Sequence, residues 1–328
     1  MKTAHLVTKT EVDAAWRLFL LNWIPLGVMG VALALSIAFT DFSIKLPGLA
    51  FSLGFVALYA GFAHANARSA IRRDPQVMFA LGGTAQIVLV TVLMTPLTYV
   101  AAATSFPLQD ANLLAADRAL GFDWTAHVGF VNDHPTLAAA LTLGYRMIRW
   151  PIFAIPVVLA LAHRYRRMDE FIFAFGLALI VTTIISVFVP AIGIYFELAD
   201  VSASYSNVVP VAYFESVREM PLVRDGSLRQ LELTKLTGLV TFPSFHAASA
   251  VLYTWALWPV RWIRPIAVVA NAAMLASCPV DGAHYIVDLI AGVALAVLAI
   301  MAARWISLAV TRPRTAGATM SGAAVPAE

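Results

Sequence analysis

The stretch FIFAFGLALIVTTIISVFVPAIGI, residues 171–194, carries no charged side chain. A helix rises ~1.5 Å per residue, so ~20 apolar residues span the ~30 Å hydrocarbon core of a bilayer. Residues 171–194 therefore read as a membrane span. Working outward, seven more apolar runs follow the same rule. They are about Trp16–Phe39, Leu46–Asn66, Val77–Thr104, Pro135–Ala162, Phe245–Val260, Pro265–Pro279 and His284–Leu308. The sixth and seventh spans are short, and Arg261-Trp262-Ile263-Arg264 divides them. No segment alternates with a two-residue period, which argues against a β-barrel. The expectation is an all-α, polytopic transmembrane helical bundle of about eight spans.

Composition agrees. Of the 328 residues, 60% are hydrophobic and 12% charged, against about 25% charged in soluble domains. The net charge of +3 raises the question of nucleic acid. Here the basic residues sit in short clusters between apolar runs, which points to membrane orientation instead. Cys278 is the only cysteine, so no intrachain disulfide or multi-cysteine metal site is available. The first apolar run is longer than the core of a signal peptide and reads as a retained span.

With the N-terminus inside, 14 of the 22 lysines and arginines fall at inner segments or inner span ends. They run from Lys2, Lys9 and Arg17 through Arg68, Arg72 and Arg73, the Arg164–Arg167 cluster, and Arg261 and Arg264 to Arg304, Arg312 and Arg314. An eight-span chain with both termini cytoplasmic satisfies this alternation. Compact loops and the absence of an Asn-x-Ser/Thr acceptor favour a bacterial inner membrane. Three regions are expected: N-terminal helices with an outer interfacial loop over 1–134, a catalytic membrane domain over 135–310, and a disordered tail over 311–328. Within the first outer loop, Leu113–Val131 reads as a helix lying in the interface. The second, Ala199–Thr241, is polar, of mixed charge and partly helical.

Two histidines stand out by position. His246 follows Phe242-Pro243-Ser244-Phe245, and His284 follows Asp281-Gly282-Ala283. The topology sets both on the outer face at similar depth. Asp288 lies one helical turn beyond His284, on the same helix face. A carboxylate there fixes the imidazole tautomer and leaves the other ring nitrogen nucleophilic. Ionisable groups within a span usually have a partner and a role. Backbone N–H groups at the starts of these two helices would favour an anion. Ser244 fits as a phosphate ligand or equally as an N-cap, and Gly282 as a close backbone approach or as a turn residue. Two histidines and an aspartate could also hold a metal, but no other paired ligand spacing supports one.

Pro243-Ser244-Phe245-His246, with Ser277-Cys278 followed five residues later by His284 and then by Asp288, resembles the type-2 phosphatidic acid phosphatase (PAP2) superfamily. The match covers about residues 240–296. The run His284-Tyr285-Ile286-Val287-Asp288-Leu289-Ile290-Ala291-Gly292 is also similar to the family's inositol-phosphorylceramide synthase and sphingomyelin synthase branch. The resemblance implies a lipid phosphate substrate and a PAP2-like helical core. It also implies a two-step transfer without metal or cofactor. His284 would become a phosphohistidine oriented by Asp288, and His246 would protonate the leaving oxygen. Two departures matter. The family arginine after the serine is Cys278 here, and the family's Lys-x6-Arg-Pro motif is not intact. The nearest segment is Tyr145-Arg146-Met147-Ile148-Arg149-Trp150-Pro151. Arg146 or Arg149, with Lys235, is expected to supply the missing positive charge, unless these arginines pair with bundle aspartates instead. The competing reading is a lipid transporter or flippase-like binder without phosphoryl chemistry. It lacks the inverted repeat common in transporters.

Overall fold

The computed structural model describes residues 9–69, 73–198, 205–208 and 210–311. Lys2, Arg72, Arg312, Arg314 and the expected tail fall outside these residues, Thr311 excepted. The chain is an all-α membrane bundle. Its order is α1 (Lys9–Leu21), α2 (Trp23–Phe39), β1 (Ser43–Ile44), α3 (Leu46–Arg68), α4 (Pro75–Ala102), α5 (Asp110–Ala119), α6 (Trp124–Asn132), α7 (Pro135–Arg146) and α8 (Arg149–Leu161). It continues with α9 (Tyr165–Phe188), α10 (Ile194–Glu197), α11 (Val211–Arg224), β2 (Gln230–Leu231), α12 (Phe245–Leu257), α13 (Arg264–Ser277) and α14 (Ile286–Thr311).

Each of the eight expected spans corresponds to a helix or helix pair, but their lengths differ. Five spans among the described residues are long and apolar enough to cross a membrane, or six if the bent α7–α8 pair is one span. Helices α12 and α13 have 13 and 14 residues, only ~20 Å each. Neither is long enough to cross a full hydrocarbon core alone, as the shortness of the sixth and seventh apolar runs leads one to expect.

The 57° bend between α7 and α8 has a sequence cause. Pro151 has no N–H to donate, and its ring would clash with the carbonyl four residues earlier, at Met147. The chain breaks there, and Arg146 and Arg149 stand on either side of the break. Helix α9 stops at Phe188, two residues before Pro190.

The main core joins α1, α4, α8, α9, α12 and α14 through residues such as Phe79, Met168, Phe175, Tyr253 and Ala296. By contrast, α3 buries only Gly48, Val56 and Ala63 and stands at the periphery. A second apolar cluster lies at the end of the bundle that carries His284. It packs Leu113, Leu114, Trp124 and Val128 against Val280, Ala283 and Tyr285. The expected single interfacial helix over Leu113–Val131 is therefore two helices docked onto the bundle. Gly121, at φ +81°, turns the chain between them, and Asp123 caps α6 through Ala126 N–H at 2.9 Å.

Candidate active site

The site forms where α12 and α14 begin. Ser244 is the N-cap of α12, its Oγ accepting from Ala247 N–H at 3.3 Å. Its own N–H donates to the Asp288 carbonyl at 3.0 Å. Gly292 lets the two helices meet, because a Cβ there would lie 2.2 Å from the Ser244 carbonyl oxygen. These contacts fix His246, on α12, relative to the turn that carries His284.

His284 lies in the turn two residues before α14, not on the helix as expected. The pair still meets: His284 Nδ1 is 3.4 Å from Asp288 Oδ2, the outer limit for a hydrogen bond. Asp288 is fully buried, and its Oδ2 also accepts from Tyr285 N–H at 2.9 Å. The His246 ring stacks on Tyr145, with centroids 4.1 Å apart and planes at 12°. It lies 6.2 Å from the His284 ring, centroid to centroid. The buried Nε2 of His246 has no hydrogen-bond partner among the described residues.

Both histidines face one cavity of about 970 Å³. Its wall also includes Gly282, Arg146, Arg149 and Lys235. Two of the expected site residues, Ser244 and Asp288, stand behind the wall rather than in it. Gly282 is packed so closely that a Cβ would meet Tyr145 Cε2 at 2.7 Å and His284 Cδ2 at 2.8 Å. Arg146 and Arg149 have no ion pair or hydrogen bond among the described residues, although Arg146 is near enough to Asp281 to act on its carboxyl electrostatically. Lys235 differs: it is 75% exposed in its side chain and bound to Glu232 at 3.3 Å. The rest of the wall is mainly apolar and hydroxylic, with Val88, Val92, Leu179 and Phe153 beside Thr91, Thr95 and Thr182.

One expectation fails on contact with the geometry. The N-terminus of α14 offers no open anion site. Asp117, from α5, accepts from Ile286 N–H at 2.8 Å and Val287 N–H at 2.9 Å. A carboxylate already occupies the place an anion would take.

Sequence reasoning missed three carboxylates that build this end. Asp117 also binds Trp124 Nε1–H at 2.9 Å. Asp110 accepts from Gly193 N–H at 2.8 Å, Ile192 N–H at 3.0 Å and the Tyr285 hydroxyl at 3.0 Å. Burial raises the Asp110 carboxyl, while the Gly193 and Ile192 amides act against it. The seven-residue spacing of Asp110 and Asp117 puts both on one helix face, a signal that was available. Asp281 lies in the turn between α13 and α14 and also lines the cavity. Its Oδ1 accepts from Thr142 Oγ1–H at 2.6 Å. Burial pushes its carboxyl up to about 6, against the opposing pull of Thr142 and Arg146.

Several helices long and apolar enough to cross a bilayer, packed around a cavity that holds two histidines and two arginines, fit an integral membrane protein. The family model described as the PAP2 superfamily matches residues 111–302, and the chain belongs to that superfamily. Membership supports a phosphatase-type phosphoryl-transfer function on lipid phosphates. No curated protein and no solved structure matches the chain.

Proposed function

We propose that this chain transfers the phosphoryl group of a lipid phosphate through a phosphohistidine at His284, on the outer face of a bacterial inner membrane. The observation that carries the reading is the meeting in one cavity of two histidines and two arginines that have no ion-pair partner within 4 Å among the described residues.

The roles follow from position. A proton on His284 Nδ1, directed at Asp288, leaves the Nε2 lone pair free to attack phosphorus. Arg146 and Arg149 take the charge of the phosphoryl oxygens. His246 Nε2, which has no hydrogen-bond partner among the described residues, protonates the leaving oxygen. In the second half, water or an alcohol attacks phosphorus, the P–N bond breaks, and the attacking oxygen returns its proton to His246. Phosphatase and phosphotransferase share these residues. The sequence after His284, and Cys278 in place of an arginine, favour the inositol-phosphate-type transferase branch. The apolar wall suits the lipid chain. The concentration of basic residues at the opposite end of the bundle supports an outward-facing site with both termini cytoplasmic.

The test uses protein purified in detergent, a panel of lipid phosphates without added metal, and phosphate release as the signal. A phosphoinositol-type donor with a lipid acceptor forms a second arm. Release or transfer that disappears in His284→Ala supports the reading. Neither release nor transfer in any arm would favour a lipid-binding or transport role.

A further inference from the structure

The cavity has an acceptor group that the scheme above leaves unused. Asp281 is 1% exposed, and its Oδ2 is buried with no hydrogen-bond partner among the described residues although the residue lines the cavity. Thr142 holds the other oxygen, so the carboxylate is fixed rather than free to turn away. A bare carboxylate repels phosphate, so this group does not serve the phosphoryl oxygens. It suits an O–H donor.

A second hollow shares part of its wall with the cavity. This open hollow, of about 440 Å³, lies over α7 and is bordered by Pro135, Ser206 and Asn207. Thr142 and Arg146 belong to the walls of both this hollow and the cavity. The hollow and the cavity thus share Thr142, the residue that holds Asp281 Oδ1.

Resting on the phosphoryl-transfer reading, we propose that Asp281 binds a second O–H of the acceptor and so selects acceptors with two O–H bonds. Water and vicinal diols qualify, and simple alcohols do not. The reacting oxygen bonds to phosphorus, the P–Nε2 bond of His284 breaks, and the reacting proton goes to His246. The other O–H donates to Asp281 Oδ2 and keeps its proton. Asp281 is thus a specificity-determining residue, not the base.

The experiment offers ethylene glycol and ethanol together to the full chain, with one lipid phosphate donor. It measures the ratio of glycol phosphate to ethyl phosphate. Asp281→Asn keeps the size but turns an amide N–H2 towards the cavity when Thr142 holds its oxygen. The ratio is expected to fall about tenfold or more, because a site that hydrogen-bonds an O–H discriminates strongly against its absence. Thr142→Val, which releases Oδ1, should lower the same ratio less, and it serves if Asp281→Asn does not fold. A ratio within about twofold of the unmodified chain, in whichever variant folds, overturns the assignment. If the unmodified chain makes no phosphoryl product at all, the proposed function fails and this inference fails with it.

Discussion

At one end of the bundle, Arg166 donates to Glu170 at 3.1 Å and to Ser307 at 2.7 Å. Beside it, Arg167 lies over the Trp255 ring at 4.2 Å. In the α7–α8 break, Arg146 and Arg149 have no comparable partner and border a cavity instead. Holding a charge among apolar helices has a cost, although Arg146 and Arg149 are exposed and Arg166 and Arg167 half-buried. The protein answers that cost at the first end with its own carboxylate, hydroxyl and aromatic ring. At the second end the answer must come from water or from a bound anion. The first pair belongs to the architecture, and the second is the one proposed to serve a ligand.

The largest effect expected is at the nucleophile beside the second pair. His284→Ala should lower turnover about 10⁴-fold or more, since a catalytic unit fails when its nucleophile is lost. Single-turnover phosphate release with ³²P-labelled lipid measures this. Asp288→Asn should cost about 10²–10³-fold, because the imidazole loses the acceptor that sets its tautomer.

Arg146→Ala and Arg149→Ala test the comparison directly. Each should lower turnover about 10²-fold by removing a charge aimed at the phosphoryl oxygens. Inhibition by vanadate should weaken alongside. Retained turnover and vanadate inhibition in both variants would show that these arginines do not serve the anion. Lys235→Ala should do less, because Glu232 already holds that ammonium near the surface.

How much of this was legible in the sequence depends on range. The spans were visible because burial in lipid needs only a local run of apolar residues, as in Phe171–Phe188. The shortness of α12 and α13 was visible in the same runs. His246, His284 and Asp288 were visible because spacing and topology set them at one level. The capping of α14 by Asp117 was not, since that contact joins residues 169 apart in the chain. Likewise, Asp281 stands three residues from His284, but its worth depends on Thr142, 139 residues away.

The pH dependence sharpens the same contrast between groups the fold satisfies and groups it leaves open. The Asp281 carboxyl is raised from 3.8 to about 6. Its ionised form is the hydrogen-bond acceptor, so the glycol-to-ethanol ratio should rise as pH climbs through about 6. Stability runs the other way. The folded chain binds this proton more tightly than the unfolded chain, so the contribution of Asp281 to stability declines between 3.8 and about 6. In Asp281→Asn, both pH dependences should vanish from that window. A ratio that still rises with the same midpoint in the variant would assign the titration to another group.

The smallest effect is expected at the architectural arginine. Arg166→Ala removes one partner of Glu170, but Arg167 remains at 3.9 Å. The Arg166 side chain is 43% exposed, and ion pairs so open to solvent contribute about 0–1 kcal/mol. The midpoint of thermal unfolding in detergent should drop by only a few degrees. Because Arg166 lies more than two helical turns from Phe175, Leu179 and Thr182, the α9 residues that line the cavity, kcat/KM should stay within about twofold of the unmodified value. A loss as large as that of Arg149→Ala would mean that the two ends are coupled through the net positive field of the bundle. The arginines would then act as one electrostatic set, and the distinction between paired and unpaired arginines would carry no functional meaning.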